Sequence, residues 1–181
     1  AVGTGAALKL ARDGNADVVI AHARKLEEEF LAAGYGVNRR VIARNFFMLV
    51  GPDADPAKAA GSPEVKTALE RIKAAAAVFV SRGDRSGTHI RELDLWALAG
   101  GQPKANYLET GQGMAQTLLI ASERRGYTLT DSASFATLAA TSGLRTIVEG
   151  SADLENIYSV IAVNPARLAS ARYGEAMAFI A

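Results

Sequence analysis

With 181 residues, 49% of them hydrophobic and a formal net charge of +1, the chain has enough apolar material for one larger or two small domains with real cores. Its 20 lysines and arginines are interspersed with 19 acids, which argues against a general nucleic-acid binder, because neutralising phosphates takes a basic stripe. The absence of cysteine excludes disulfides, thiolate catalysis and zinc–sulfur sites, and leaves both a reducing cytoplasm and a bacterial periplasm open.

No apolar run approaches the roughly 20 residues of a membrane helix, and no leader is read at the start, so the chain is expected to be cytoplasmic or to have had its leader removed. The opening "AVGTGAALKLARDGNADVVIAH" gives an apolar pair, a glycine turn, a helical pattern through Leu8 and Leu10, a turn at Asp13-Gly14-Asn15 and a strand-like "ADVVIAH". This order predicts the αβ half of a βαβ unit. Ala1-Val2 reads as the end of a strand, so an upstream strand is expected. The charged helix "ARKLEEEFLAAG" follows, closed by Gly34, and after a loop the apolar strand "NFFMLVGP". The segment "GPDADPAKAAGSPEV" shifts toward Pro, Gly and Asp and predicts a boundary between two lobes.

Beyond it the alternation restarts: helix "VKTALERIKAA", strand "AVFVS", the turn "SRGDRSGTH", helix "HIRELDLWALAG", a turn from Gly100 to Lys104, and further α/β elements through "YTLTDSASFATLA" and "GLRTIVEG". "NIYSVIAVNP" predicts a late strand that crosses back to the first lobe, and "RYGEAMAFIA" a last helix. The fold class is α/β in two lobes.

Three turns share one design. "VGTGAA", "SRGDRSGTH" and "ETGQGMA" each place Gly with Ser or Thr at a helix start, where backbone N–H groups lack intrahelical partners and the dipole favours an anion. Glycine lets the backbone come close, and consecutive N–H groups form anion-holding nests. The competing explanation is that Thr4, Ser86, Thr88 and Thr110 are ordinary N-caps. Arg82 and Arg85 add guanidinium groups able to grip two oxygens, or else pair with Asp84, Glu92 or Asp94 on a solvated face; Arg82 lies nearer the strand end, where open α/β sheets place ligands.

Other readings of these letters are weaker. "GTGAAL" lacks the third glycine and the distal acid of a dinucleotide fingerprint, Arg82-Gly83-Asp84 matches an adhesion tripeptide by three letters only, and Ser86 with His89 has no orienting third group. His22 and His89 lack a third partner at metal-ligand spacing, so no side-chain set for a cation is assigned.

Taken together, "VGTGAALKLARDGNADVVIAHA", "YGVNRR", "SRGDRSGTH", "YLETGQGM", "YTLTD" and "VIAVNP" resemble the tungstate-binding proteins of bacterial ABC importers, in order and over nearly the whole chain. The resemblance implies a type II periplasmic-binding-protein fold, each lobe a sheet flanked by helices, with lobe I at 1–52 and 152–181, lobe II at 53–151 and hinge strands near 47–51 and 160–164. It implies that Thr4 and Gly5 line the first-lobe wall of an oxyanion cleft, with Ser81, Arg82, Ser86, Gly87 and Thr88 on the second-lobe wall beside Gly111, Gln112 and Gly113. Family members also begin with a strand and a Ser/Thr-rich loop that this sequence lacks, and Arg85 stands where an acid or neutral residue is more usual.

The implied function is capture without chemistry of tungstate, or of molybdate, and delivery to an ABC transporter permease, with no cofactor and no nucleic acid. The implied location is periplasmic, or extracellular and membrane-anchored, with a lipid anchor as an option for the precursor. Two alternatives stay open on the same two-lobed build: an enzyme dependent on a small anion or nucleotide, and a sensor domain.

Overall fold

The computed structural model describes residues 2–181. The chain divides into two compact units: unit 1 comprises residues up to Arg44, the tripeptide Arg85–Gly87 and Ile157–Ala181, and unit 2 comprises Asn45–Asp84 and Thr88–Asn156. The change-over falls inside two long strands, β2 (Gly36–Pro52) and β7 (Glu155–Val163).

In unit 1, helix α1 (Thr4–Arg12) turns Leu8 and Ala11 inward and ends at Asp13 and Gly14, the latter in the left-handed region at φ 79°. Strand β1 (Val18–Ala21) is shorter than "ADVVIAH" and pairs antiparallel with β7, Val18 opposite Ala162 and Ala21 opposite Ser159. Of the expected strand end at the start, Ala1 lies outside the described residues and Val2 is part of no strand. Helix α2 (Arg24–Ala32) closes as its glycine foretells: the Gly34 N–H donates to Leu31 O, the Tyr35 N–H to Phe30 O, and Gly34 adopts φ 76°. Leu8, Ala11, Val19, Phe30, Ile161 and Val163 form one core, and the last helix α7 (Tyr173–Ile180) covers Val160 and Ala162 with Ala176 and Ile180.

Strand β2 begins at Gly36, well before the apolar "NFFMLVGP". Its first half, "GVNRRVIAR", is largely exposed, so it carries no burial alternation to announce a strand; hydrogen bonding to neighbouring strands fixes it instead. In unit 2 the apolar half of β2 lies between β5 (Thr128–Asp131) and β6 (Leu144–Val148), both antiparallel, with Leu49 opposite Leu129 on one side and Val148 on the other.

Next to this sheet, β3 (Phe79–Ser81) and β4 (Tyr107–Glu109) run parallel, Ser81 opposite Glu109. Their core is aromatic and aliphatic: Phe79 meets Trp96 edge-on at 5.0 Å and stacks on Tyr107 at 5.9 Å, above Leu69, Ile72 and Tyr127. Helices α3 (Val65–Ala74), α4 (Gly87–Leu98), α5 (Met114–Glu123) and α6 (Ser132–Ser142) complete the α/β pattern, α6 being capped by Asp131, whose carboxylate accepts the Ser134 N–H at 2.9 Å. Among the described residues no helix is long and apolar enough to cross a membrane.

Candidate anion-binding site

The parallel register of β3 and β4 decides the geometry in unit 2. Because Ser81 and Glu109 lie opposite each other at the carboxyl ends of their strands, the two turns that follow, Ser81–Asp84 and Thr110–Gly113, emerge side by side. Backbone bonds then lock them together: the Thr110 N–H donates to Ser81 O at 3.0 Å and the Gly111 N–H to Arg82 O at 2.8 Å. Gly83 takes φ 61° and lies so close to Glu109 that a Cβ there would fall 2.8 Å from that side chain, which explains the glycine twice over. Gly111 also has positive φ, at 65°.

Thr110 does not act as the N-cap that Thr often is. Thr110 Oγ1 accepts the Gln112 N–H and meets Thr117 Oγ1 at 3.0 Å, while the N-cap of α5 is Gly113 with no side-chain bond. Gly111, Gln112 and Gly113 are exposed in front of the first turn of α5, whose N–H groups have no intrahelical acceptor. Ser81 is fully buried, and its Oγ accepts the Gly83 N–H at 3.2 Å. Arg82 holds Asp84 through Nη2 at 2.5 Å, yet its buried Nε has no hydrogen-bond partner. A donor of that kind, aligned in a rigid turn, is costly unless something accepts from it.

Helix α4 carries a buried acid. Glu92 on α4 is 3% exposed and accepts the Tyr107 O–H at 2.5 Å, Tyr107 in turn accepting from Gln102 Nε2 at 2.7 Å. Burial pushes the Glu92 carboxyl up to about 7 against the hydrogen bond from Tyr107, with the charge of Glu109 adding to the rise. Thr88 and His89 are buried in the first turn of the same helix.

Unit 1 carries a second set. Helix α1 starts after Gly3, an extended N-cap without a side-chain bond, so Thr4 is its first helical residue and its buried Oγ1 accepts the His22 N–H at 3.3 Å. The tripeptide Arg85–Gly87, flanked in sequence by residues of unit 2, packs on this start. A Cβ at Gly3 would lie 3.3 Å from Ser86 Cβ, and one at Gly5 3.2 Å from Arg85 O. Arg85 itself is exposed with φ 58°, a strained setting for a non-glycine residue, whereas Ser86 is 2% exposed.

Thus Thr4, Gly5, Ser86 and Gly87 are brought together in unit 1, and Ser81, Arg82 and Gly111 in unit 2. Among the described residues no three His, Cys, Asp or Glu side chains group as metal ligands.

The full chain, residues 1–181, matches the family model described as a PBP superfamily domain. The chain belongs to the PBP superfamily. Within it, the chain is 44% identical over 168 residues to the tungstate-binding protein TupA of Peptoclostridium acidaminophilum, covering 91% of this chain and 59% of that protein. It is 41% identical over 186 residues to the tungstate-binding protein TupA of Campylobacter jejuni, covering 99% of this chain and 69% of the relative. The chain therefore spans little more than half the length of some curated relatives it matches. Among solved structures, that of the tungstate ABC transporter from Geobacter sulfurreducens is 47% identical with a TM-score of 0.86, over 99% of this chain and 77% of that one.

Two further residues, Glu92 and His22, have settings that a reading of motifs does not give. Glu92 lies in the buried stripe of α4 with His89, Leu95 and Trp96 rather than on a solvated face, and an acid in an apolar stripe was the available signal. His22, at the end of β1, has no signal in sequence for its neighbours, which come from residues far along the chain.

Proposed function

We propose that this chain serves an extracytoplasmic solute-binding protein that captures a tetrahedral oxyanion, tungstate or molybdate, for an ABC permease. The observation that carries the reading is the buried, unpartnered Arg82 Nε in a turn locked to a second glycine turn. We assign the donors in unit 1 to Thr4, Gly5, Ser86 and Gly87, and in unit 2 to Ser81, Arg82, Thr88, Gly111, Gln112 and Gly113. The relatives named for tungstate support the choice of ligand.

Capture needs no chemistry. N–H, O–H and guanidinium donors suit a fully deprotonated tetrahedral dianion, which accepts on every side. Hydrogen phosphate presents a proton that needs an acceptor, and the carboxylate within the turn, Asp84, is engaged by Arg82. Calorimetric titration with tungstate, molybdate, sulfate and phosphate tests this: tungstate or molybdate is expected to bind and to raise the melting temperature, phosphate to do neither at equal concentration. Equal binding of all four would mark a generic cationic patch, and no binding of any would sink the reading.

A further inference from the structure

Helix α5 buries Met114, Thr117, Leu118 and Ala121, and Thr117 is the one hydroxyl in that otherwise apolar stripe, with no exposed surface. A hydroxyl buried in this way has to be bonded within the chain. Thr117 Oγ1 reaches two oxygens: Gly113 O, one turn back on its own helix, at 3.1 Å, and Thr110 Oγ1 at 3.0 Å. The first bond is open to any threonine in a helix. The second leads out of the core to the pair of turns in unit 2, and neither threonine belongs to the donor set assigned above.

Thr110 gathers that pair at a single atom. Its Oγ1 accepts the Gln112 N–H of the second turn at 3.1 Å, and its O–H reaches Arg82 O of the first at 3.3 Å. The two hydroxyl protons are shared among Arg82 O, Gly113 O and the facing threonine oxygen. Arg82 O and Gly113 O each accept a backbone N–H as well, from Gly111 and Thr117, so no acceptor is stranded whichever way the protons lie. Resting on the oxyanion reading, we infer that Thr110 and Thr117 are positioning residues: their paired hydroxyls fix the Arg82 turn and the Gly111–Gly113 loop to the start of α5, so that both turns present their donors in one geometry.

The turns need such a brace because of their glycines. Gly83 and Gly111 both have positive φ, and a glycine backbone has little preference of its own, so bonds from outside must impose the shape. Without the Thr110 hydroxyl the Gln112 N–H loses its acceptor and the loop samples other shapes, which an anion then has to order as it binds. Thr117 acts one step further away. Without its hydroxyl, Thr110 keeps Gln112 and Arg82 but loses its anchor on α5, so the effect of Thr117 is contained in that of Thr110.

The test is calorimetric titration of the full chain with tungstate, together with hydrogen exchange of the Gln112 amide followed by nuclear magnetic resonance. Thr110→Val is expected to weaken binding about tenfold and to open the Gln112 amide to exchange. Thr110→Ser, which keeps the oxygen, should stay within about twofold of the natural chain and keep the amide protected. Thr117→Val should weaken binding about threefold and, combined with Thr110→Val, add nothing to the loss from that change alone. An unchanged affinity in folded Thr110→Val, or a loss in Thr110→Ser as large as that in Thr110→Val, overturns the positioning role while the oxyanion reading stands. Additive losses in the double variant overturn the link through Thr117. Should Thr110→Val not fold, an affinity unmoved by Thr117→Val overturns the inference and the threefold loss supports it. Absence of tungstate binding by the natural chain overturns both.

Discussion

The His22 imidazole is packed against Gly87 so closely that a Cβ on the glycine would fall 2.5 Å from His22 Cε1. On its other contact the ring stacks on Tyr158, centroids 4.8 Å apart and planes 13° from parallel, so it has little room to retreat. The glycine is required by this approach. Gly87→Ala is therefore expected to destabilise the protein by about 1–3 kcal/mol through overpacking, measured by urea unfolding. His22→Ala in the same chain should recover part of the loss, and purely additive effects would show that the ring is not the obstacle.

Arg82 and Arg85 differ in setting and should differ in consequence. Arg82 is mostly buried with an unpartnered Nε, whereas Arg85 is exposed. Arg82→Ala is expected to weaken tungstate binding by about 1.5–3 kcal/mol, roughly ten- to a hundredfold, and Arg85→Ala by much less. Titration of both variants, with folding verified by circular dichroism, checks the order; equal losses would remove Arg82 from its assigned role.

The buried Glu92 also makes a prediction about stability. Its carboxyl rises from an ordinary 4.5 to about 7 in the folded chain, so between those values the folded state holds a proton that the unfolded state has lost. Its contribution is therefore fully present below about pH 4.5 and is lost as pH rises through about 7. Glu92→Gln, which cannot ionise, should gain melting temperature relative to the natural chain as pH goes from 5 to about 8. A difference between the two that does not change over this range would mean that Glu92 ionises normally.

A second buried acid should behave as a pure brace. Glu27 in α2 is fully buried and accepts from Arg39 Nε at 2.8 Å, Ser159 Oγ at 2.7 Å and the Ala23 N–H at 3.0 Å, tying α2 to β2 and β7. Glu27→Ala strands all three donors and is expected to cost about 3–5 kcal/mol, seen as a lower urea midpoint. Loss of less than about 1 kcal/mol would show that water replaces the carboxylate readily.

Much of the protein was legible as letters. Gly34 ends α2 in the left-handed region as a C-terminal glycine does, the apolar half of β2 was read from "NFFMLVGP", and the turns "SRGDRSGTH" and "ETGQGM" each put small and hydroxyl residues where helices α4 and α5 begin. Such features are local: the residue's own conformational preference or spacing decides them.

Only the tertiary structure decided the rest. Strand β2 reaches back to Gly36 because neighbouring strands supply its hydrogen bonds, although its exposed first half shows no alternation. Thr4 and Thr110, readable as caps, instead accept the His22 and Gln112 N–H groups, and Gly83 and Gly87 are glycines because Glu109 and His22 lie against them. Glu92 acquires its character from its burial and from Tyr107, which reaches it from a strand that follows α4 in the chain. Propensity and period act over a few residues, whereas a close approach, a shared proton or a buried charge depends on which distant residues the fold sets beside it.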